Sequence, residues 1–177
     1  MHASALIVLV GPMGAGKTTL GRALAARLGL GFADVDARVE AEAGQPIPAI
    51  FAGEGEAGFR RREARALAAL LAGPPAVVAT GGGAVLDPGN RAAMRAAGTV
   101  VYLAVDPAIQ LARLRGDTGR PLLQTADPAG TLAALQAQRE PLYRDAAHLA
   151  FDAGTLAPDA AARMLADRLA ALEIRPA

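Results

Sequence analysis

Apolar runs rich in Val and Ile alternate along this chain with longer stretches of helical period, starting with "ALIVLV" at residues 5–10. Short continuous apolar runs are what strands covered on both faces require, so the alternation predicts an α/β domain with a parallel sheet between helices. Five strands are expected, over residues 5–10, 31–34, 76–80, 100–105 and 148–152, enough for a small open sheet. Between them Leu20, Ala23, Leu24 and Leu28 fall on one helical face. The same holds for Leu67, Leu70 and Leu71, and for Met164, Leu165, Leu169 and Leu172, so these are the expected packing faces. Gly- and Pro-rich punctuation at residues 44–48, 73–75 and 81–83 marks loops inside one domain spanning 1–177, since no repeat or long linker interrupts the pattern. The least regular stretch is 113–128, "RLRGDTGRPLLQTADP", which reads as a long mobile loop; such loops in compact domains often act as lids.

Composition narrows the chemistry. The chain has 177 residues, 53% hydrophobic and 20% charged, enough to bury a core in one globular domain. A net charge of +1 and 3% aromatics offer neither a basic surplus nor stacking platforms, so no nucleic-acid partner is expected. With no Cys there is no disulfide, thiolate nucleophile or Cys-ligated zinc, which suits a cytoplasmic protein whose reactions use Arg, Asp, Lys and backbone. The opening apolar run lacks a basic flank, is short for a signal sequence and leads straight into glycines. No apolar run approaches membrane-spanning length, so neither targeting nor a membrane is expected. The absence of a long unpaired apolar face makes a monomer the expectation.

Of the 18 Lys and Arg residues, Lys17 is the only lysine. It lies in Gly11-Pro-Met-Gly-Ala-Gly-Lys-Thr, which matches G-x-x-x-x-G-K-[ST], follows a strand-like run and opens an amphipathic helix, the context of a phosphate-binding loop. Glycines at 11, 14 and 16 allow several backbone N–H groups to point at phosphate oxygens, and the helix N-terminus adds partial positive charge. An exposed Lys17 ammonium is expected to move with the transferred phosphoryl group, where a wider guanidinium fork would fit less well. Thr18 supplies a hydroxyl for Mg²⁺. A Gly-rich strand-to-helix turn without a ligand is the bland alternative.

Three clusters bear on what accepts the phosphoryl group. Asp34 and Asp36 stand at the end of the second expected strand, where residues two apart share a face; one carboxylate could serve the Mg²⁺ shell and the other an acceptor hydroxyl. An acidic strand end capping the next helix is the alternative. In "FRRREARAL", 59–67, consecutive arginines step about 100° around a helix and cannot all face one cleft, so most are solvated, with Arg60 and Glu63 as an i,i+3 pair. In "AVVATGGGAVL" an apolar strand runs into Gly81, Gly82 and Gly83, which let a ligand approach the backbone. Thr80 stands near where many phosphate-loop proteins carry a metal-supporting Asp, leaving Asp34 as the candidate.

Taken together these motifs resemble the shikimate kinase family over nearly the whole chain: "GPMGAGKTT", the Asp34/Asp36 pair, "FRR" with Glu63, the triple glycine, "GRPLL" at 119–123 and "REPLY" at 139–143. The resemblance implies a P-loop NTPase fold of three layers, α/β/α, with a five-stranded parallel sheet, an acceptor-binding region at about 34–63 and a lid at about 113–127. It implies transfer of the γ-phosphoryl group of ATP to the 3-hydroxyl of shikimate, with Mg²⁺, in aromatic amino acid biosynthesis. On this basis Lys17, Asp36 and Arg120 are catalytic. Gly14, Ala15, Gly16, Lys17, Thr18, Thr19, Arg113 and Arg120 bind the nucleotide, with Arg113 against the adenine. Asp36, Arg60, Gly82, Gly83 and Arg139 bind shikimate, the two arginines on its carboxylate, while Thr18 and Asp34 serve the metal. Val35 between the aspartates and Asp117 in the lid depart from the family pattern. A related hydroxy-acid kinase such as gluconate kinase, or a silent ATP-binding module, is the rival reading. A GTP switch is excluded, because its N-K-x-D motif needs a second lysine.

Overall fold

The run Ile7–Val10 forms strand β1, whose side chains alternate between two cores: Val8 and Val10 join one, Ile7 and Leu9 the other. The run is continuously apolar because helices cover both faces of the sheet. The structure, a computed structural model, describes residues 6–116 and 123–173. Strands β2 (Gly31–Asp34), β3 (Ala76–Ala79), β4 (Thr99–Ala104) and β5 (Leu149–Asp152) complete a five-stranded sheet in the order β2-β3-β1-β4-β5, every neighbouring pair parallel. These are the five expected segments, 31–34 unchanged and the others with ends moved by one or two residues. Thr80 falls just past β3, with its N–H and its hydroxyl both donating to the Leu9 carbonyl, at 3.1 and 3.0 Å.

Helices α1 (Lys17–Leu28) and α7 (Pro158–Glu173) cover one face through Leu20, Leu24, Ala161, Leu165 and Leu169. On the other lie α2 (Val35–Ala43), α3 (Ile47–Leu71), α4 (Pro88–Ala97) and α6 (Pro128–Ala146), contributing Val35, Val39, Ile50, Phe59, Leu67, Met94 and Tyr143. Helix α5 (Pro107–Leu114) adds a small third cluster in which Leu114 meets Leu123 and Leu132. Three helices start at Asp-Pro: Asp87, Asp106 and Asp127 cap α4, α5 and α6 by accepting backbone N–H groups, and the proline that follows needs no donor there.

Several expectations change. Leu28 and Met164 are exposed: Leu28 ends its helix, and Met164 is a helical step off the stripe of Ala161, Leu165 and Leu169. Ile47 and Pro48 open α3 instead of belonging to a loop. The irregular stretch 113–128 is shorter as a loop, since Arg113 and Leu114 finish α5 and Pro128 starts α6. Residues 117–122, with Asp117 and Arg120, lie outside the described residues.

Because all strands are parallel, the turns after β1, β2 and β3 emerge on one edge of the sheet. Open α/β sheets bind ligands on that edge, beyond the carboxyl ends of their strands.

Candidate active site

The turn from β1 into α1 carries the phosphate loop. Gly11, Gly14 and Gly16 all adopt positive φ (148°, 77° and 88°), which side-chain-bearing residues rarely take. Gly16 caps α1 with no side-chain acceptor on the first turn, leaving that end of the helix open to an anion. The Ala15 N–H closes a turn onto Pro12 O at 3.2 Å, and Thr18 and Thr19 are exposed on the first turn.

Lys17 differs from expectation. It is only 9% exposed, and its ammonium donates to Gly11 O at 2.7 Å and Pro12 O at 2.8 Å, so the loop's own carbonyls satisfy the charge in the described chain. Two α5 residues brace the outer side of the loop. Buried Gln110 donates to Met13 O at 2.9 Å, and the Arg113 guanidinium donates to Gly14 O at 3.0 Å and Gly154 O at 3.3 Å. Arg113 therefore bridges the phosphate loop and the turn after β5 from the last turn of a helix.

Asp34 and Asp36 are not a strand pair. Asp34 ends β2, while Asp36 sits in the first turn of α2, because the Asp34 carboxylate stops the strand and starts the helix. Asp34 Oδ1 accepts the N–H groups of Asp36 (3.0 Å) and Ala37 (3.3 Å), and Oδ2 accepts the Thr18 hydroxyl at 2.7 Å. The capping alternative is observed, and the second oxygen of the same carboxylate reaches Thr18 at the end of the phosphate loop. Thr18 and Asp34 make a hard-oxygen pair that suits Mg²⁺, which takes one or two protein ligands and completes its shell with phosphates and water. Among the described residues no group of three or more His, Cys, Asp or Glu is placed to hold a metal by itself. The donor set thus fits a metal carried in with a nucleotide.

Beyond β3 the triple glycine joins the two halves of the site. A Cβ on Gly82 would lie 3.3 Å from Met13 N, on the phosphate loop. One on Gly81 would lie 2.6 Å from Glu63 Oε1 and 3.0 Å from Asp36 Oδ1. Glu63 is 1% exposed; burial raises its pKa, opposed by the Arg60 guanidinium, whose nitrogen donates to Glu63 Oε2 at 2.7 Å. Burial works against the Arg60 charge, yet the carboxylates of Glu63 and Glu56 leave its pKa raised. Arg139, on α6, is buried, and its Nε has no hydrogen-bond partner among the described residues. One turn on, the Tyr143 hydroxyl donates to Gly82 O at 2.5 Å; burial pushes its pKa up to about 12, with Arg139 opposing. On the Arg60 side, a cavity of about 450 Å³ is lined by Glu56, Arg60, Glu63, Gly83, Leu86 and Asn90 among others.

The structure thus brings Asp36, Arg60 and Arg139 near Glu63, sets Gly83 against Arg60 and Gly82 between the phosphate loop and Tyr143, and pairs Thr18 with Asp34. It also sorts the arginine run. Arg60 turns inward to Glu63; Arg62 pairs with Glu54 at 2.7 Å, and Arg61 and Arg65 are exposed, as a solvated helix face would be. Sequence reasoning missed Gln110, which has no local signal beyond its place in a helix, and the link from Tyr143, part of "REPLY", to Gly82, because the partner lies in a distant turn.

Gly83 is a sensitive point. A Cβ there would collide with the Arg60 guanidinium, the end of a long side chain that can move. Gly83→Ala is therefore expected to fold but to shift Arg60, raising the KM of the acceptor on the order of tenfold with little change in KM for nucleotide. Steady-state kinetics with each substrate varied would check it; an unchanged acceptor KM would mean that Arg60 has no bearing on acceptor binding.

A shikimate kinase family model matches residues 13–170. The chain is 50% identical to a shikimate kinase of Xanthomonas euvesicatoria pv. vesicatoria (strain 85-10), over 97% of this chain and 95% of that one. It is 57% identical to one of Halorhodospira halophila over 80% of each. Among solved structures, the shikimate kinase from Acinetobacter baumannii in complex with shikimate is similar with a TM-score of 0.94 and 42% identity, covering 97% of this chain and 96% of that one.

Proposed function

This chain belongs to the shikimate kinase family, and from that premise we propose how its residues divide the work of the reaction. The reaction is transfer of the γ-phosphoryl group of ATP to the 3-hydroxyl of shikimate, giving shikimate 3-phosphate and ADP. One bond forms between the hydroxyl oxygen and the γ-phosphorus, one breaks to the β,γ-bridging oxygen, and the hydroxyl proton must be taken up.

The observation that carries the assignment is the position of the triple glycine, between Met13 of the phosphate loop on one side and Glu63, Asp36 and Arg60 on the other. Phosphate donor and hydroxyl acceptor meet across that turn. The residues of the loop, Gly14 to Thr19, cradle the phosphates at the N-terminus of α1, with Lys17 exchanging the carbonyls of Gly11 and Pro12 for phosphate oxygens. Thr18 and Asp34 hold Mg²⁺; when bound, the ion neutralises charge on the phosphates. Asp36 draws the 3-hydroxyl forward and receives its proton.

Arg60 and Arg139 take the shikimate carboxylate. A guanidinium suits that task because its planar fork can meet both oxygens. The Gly82 and Gly83 backbone lies against the ring, and the Tyr143 hydroxyl fixes the Gly82 peptide. Arg113 contacts the adenine after releasing the carbonyls it bridges. The lid at about 113–127, with Arg120 meeting charge on the transferring group, stays a family-based assignment, since Arg120 is outside the described residues. We place the enzyme in the cytoplasm, where ATP is available, and read it as a monomer because the sequence carries no long unpaired apolar face. No helix among the described residues is long and apolar enough to cross a membrane.

A coupled assay of ADP formation with ATP, Mg²⁺ and shikimate tests the reading. Turnover with shikimate and none with gluconate is expected. Turnover with gluconate alone would favour the rival kinase, and tight ATP binding without turnover would favour a silent module.

A further inference from the structure

Arg60 holds two carboxylates of different character. Glu63 is enclosed and accepts from one terminal nitrogen at 2.7 Å; Glu56, with 51% of its side chain exposed, accepts from the other at 3.2 Å. The first contact is to a buried carboxylate. The second borders the 450 Å³ cavity, which Glu56 and Arg60 line together. The guanidinium packs against Gly83, where a Cβ would meet it, and lies 5.2 Å from the centroid of the Phe59 ring. An anion that enters the cavity and takes that second nitrogen in its present position takes the place of Glu56.

Glu56 is built to leave. It follows Gly55, the one residue inside α3 with non-helical backbone (φ 69°, ψ −179°), and a Cβ on Gly55 would meet nothing within 4 Å. Glu56 thus follows a kink, with its side chain half exposed, in an ion pair of the kind that contributes little to stability.

We propose that Glu56 is the exchangeable counter-ion of the acceptor pocket, pairing with Arg60 when the pocket is empty and giving way to the carboxylate of the acceptor. The inference rests on the assignment of Arg60 to that carboxylate. It makes Glu56 a specificity-determining residue. An acceptor carboxylate has to displace it and approach against its charge, whereas a neutral analogue leaves the pair intact. A simple anion with no hydroxyls to offer Asp36 gains too little to displace it, so Arg60 is kept clear of ordinary anions.

Calorimetric titration of the full chain with shikimate and with its methyl ester tests this, using wild type, Glu56→Gln, Arg60→Ala and the double variant. Glu56→Gln is expected to bind shikimate roughly two- to fivefold tighter, the scale of an exposed ion pair, with the ester unchanged or weaker. In the Arg60→Ala background the gain should vanish. Glu56→Asp, too short to reach Arg60 with the same geometry but equally charged, separates pairing from bulk repulsion and should recover part of the gain. Shikimate binding unchanged or weakened by Glu56→Gln, or both ligands moving together, overturns the proposal. If Arg60→Ala leaves the shikimate-to-ester ratio at the wild-type value, the premise about Arg60 has failed instead, whatever Glu56 does.

Discussion

Lys17→Met is expected to lower kcat by about 10³-fold or more while the protein stays folded, because the ammonium is the one side-chain cation built into the phosphate loop. The methionine can fill the same narrow space, since Lys17 is already buried along its stem. The cost to stability is the loss of donors to Gly11 O and Pro12 O, about 1–3 kcal/mol if those carbonyls find no water. Kinetics and thermal unfolding on the same preparation separate the two effects. A folded variant with near-normal turnover would refute the role of Lys17. A chemically silent variant that still binds ATP would place its contribution in the transition state.

The second large effect is expected at Asp36. Asp36→Asn keeps the shape but cannot accept a proton, and should reduce transfer to shikimate by about 10²- to 10⁴-fold with ATP affinity little changed. The contrast with Asp34 makes the test specific. Asp34 accepts from Thr18 and caps α2, so Asp34→Asn should weaken Mg²⁺-nucleotide binding and the start of the helix together. Asp36 stands across from Gly81, near buried Glu63, on the side proposed for the acceptor. If Asp36→Asn lowered ATP binding and transfer equally, the carboxylate would belong to the metal shell and the division between the aspartates would be reversed.

The amino-acid sequence by itself determined the sheet and the phosphate loop. Parallel strands buried on both faces must be continuously apolar, so residues 7–10 and 99–104 announce themselves by composition alone. The loop is legible for a related reason: strand, glycine turn and helix are contiguous, and the positive φ of Gly11, Gly14 and Gly16 is a local requirement.

Tertiary structure decided what no local pattern encodes. Four arginines between 60 and 65 have the same chemistry, and only packing of α3 against the triple glycine turns Arg60 inward while Arg61 and Arg65 face water. Asp36 left the strand because the capping bonds of Asp34 started a helix two residues earlier than alternation along a strand would allow. Lys17 proved buried because the loop folds its own carbonyls around it. Gln110 and Tyr143 reach the loops from helices 97 and 61 residues away in the chain, by single side-chain-to-carbonyl bonds. Periodicity reports which face of an element avoids water; which polar group meets which across the fold depends on the docking of elements distant in sequence, and a hydrogen bond between them leaves no repeating trace in either.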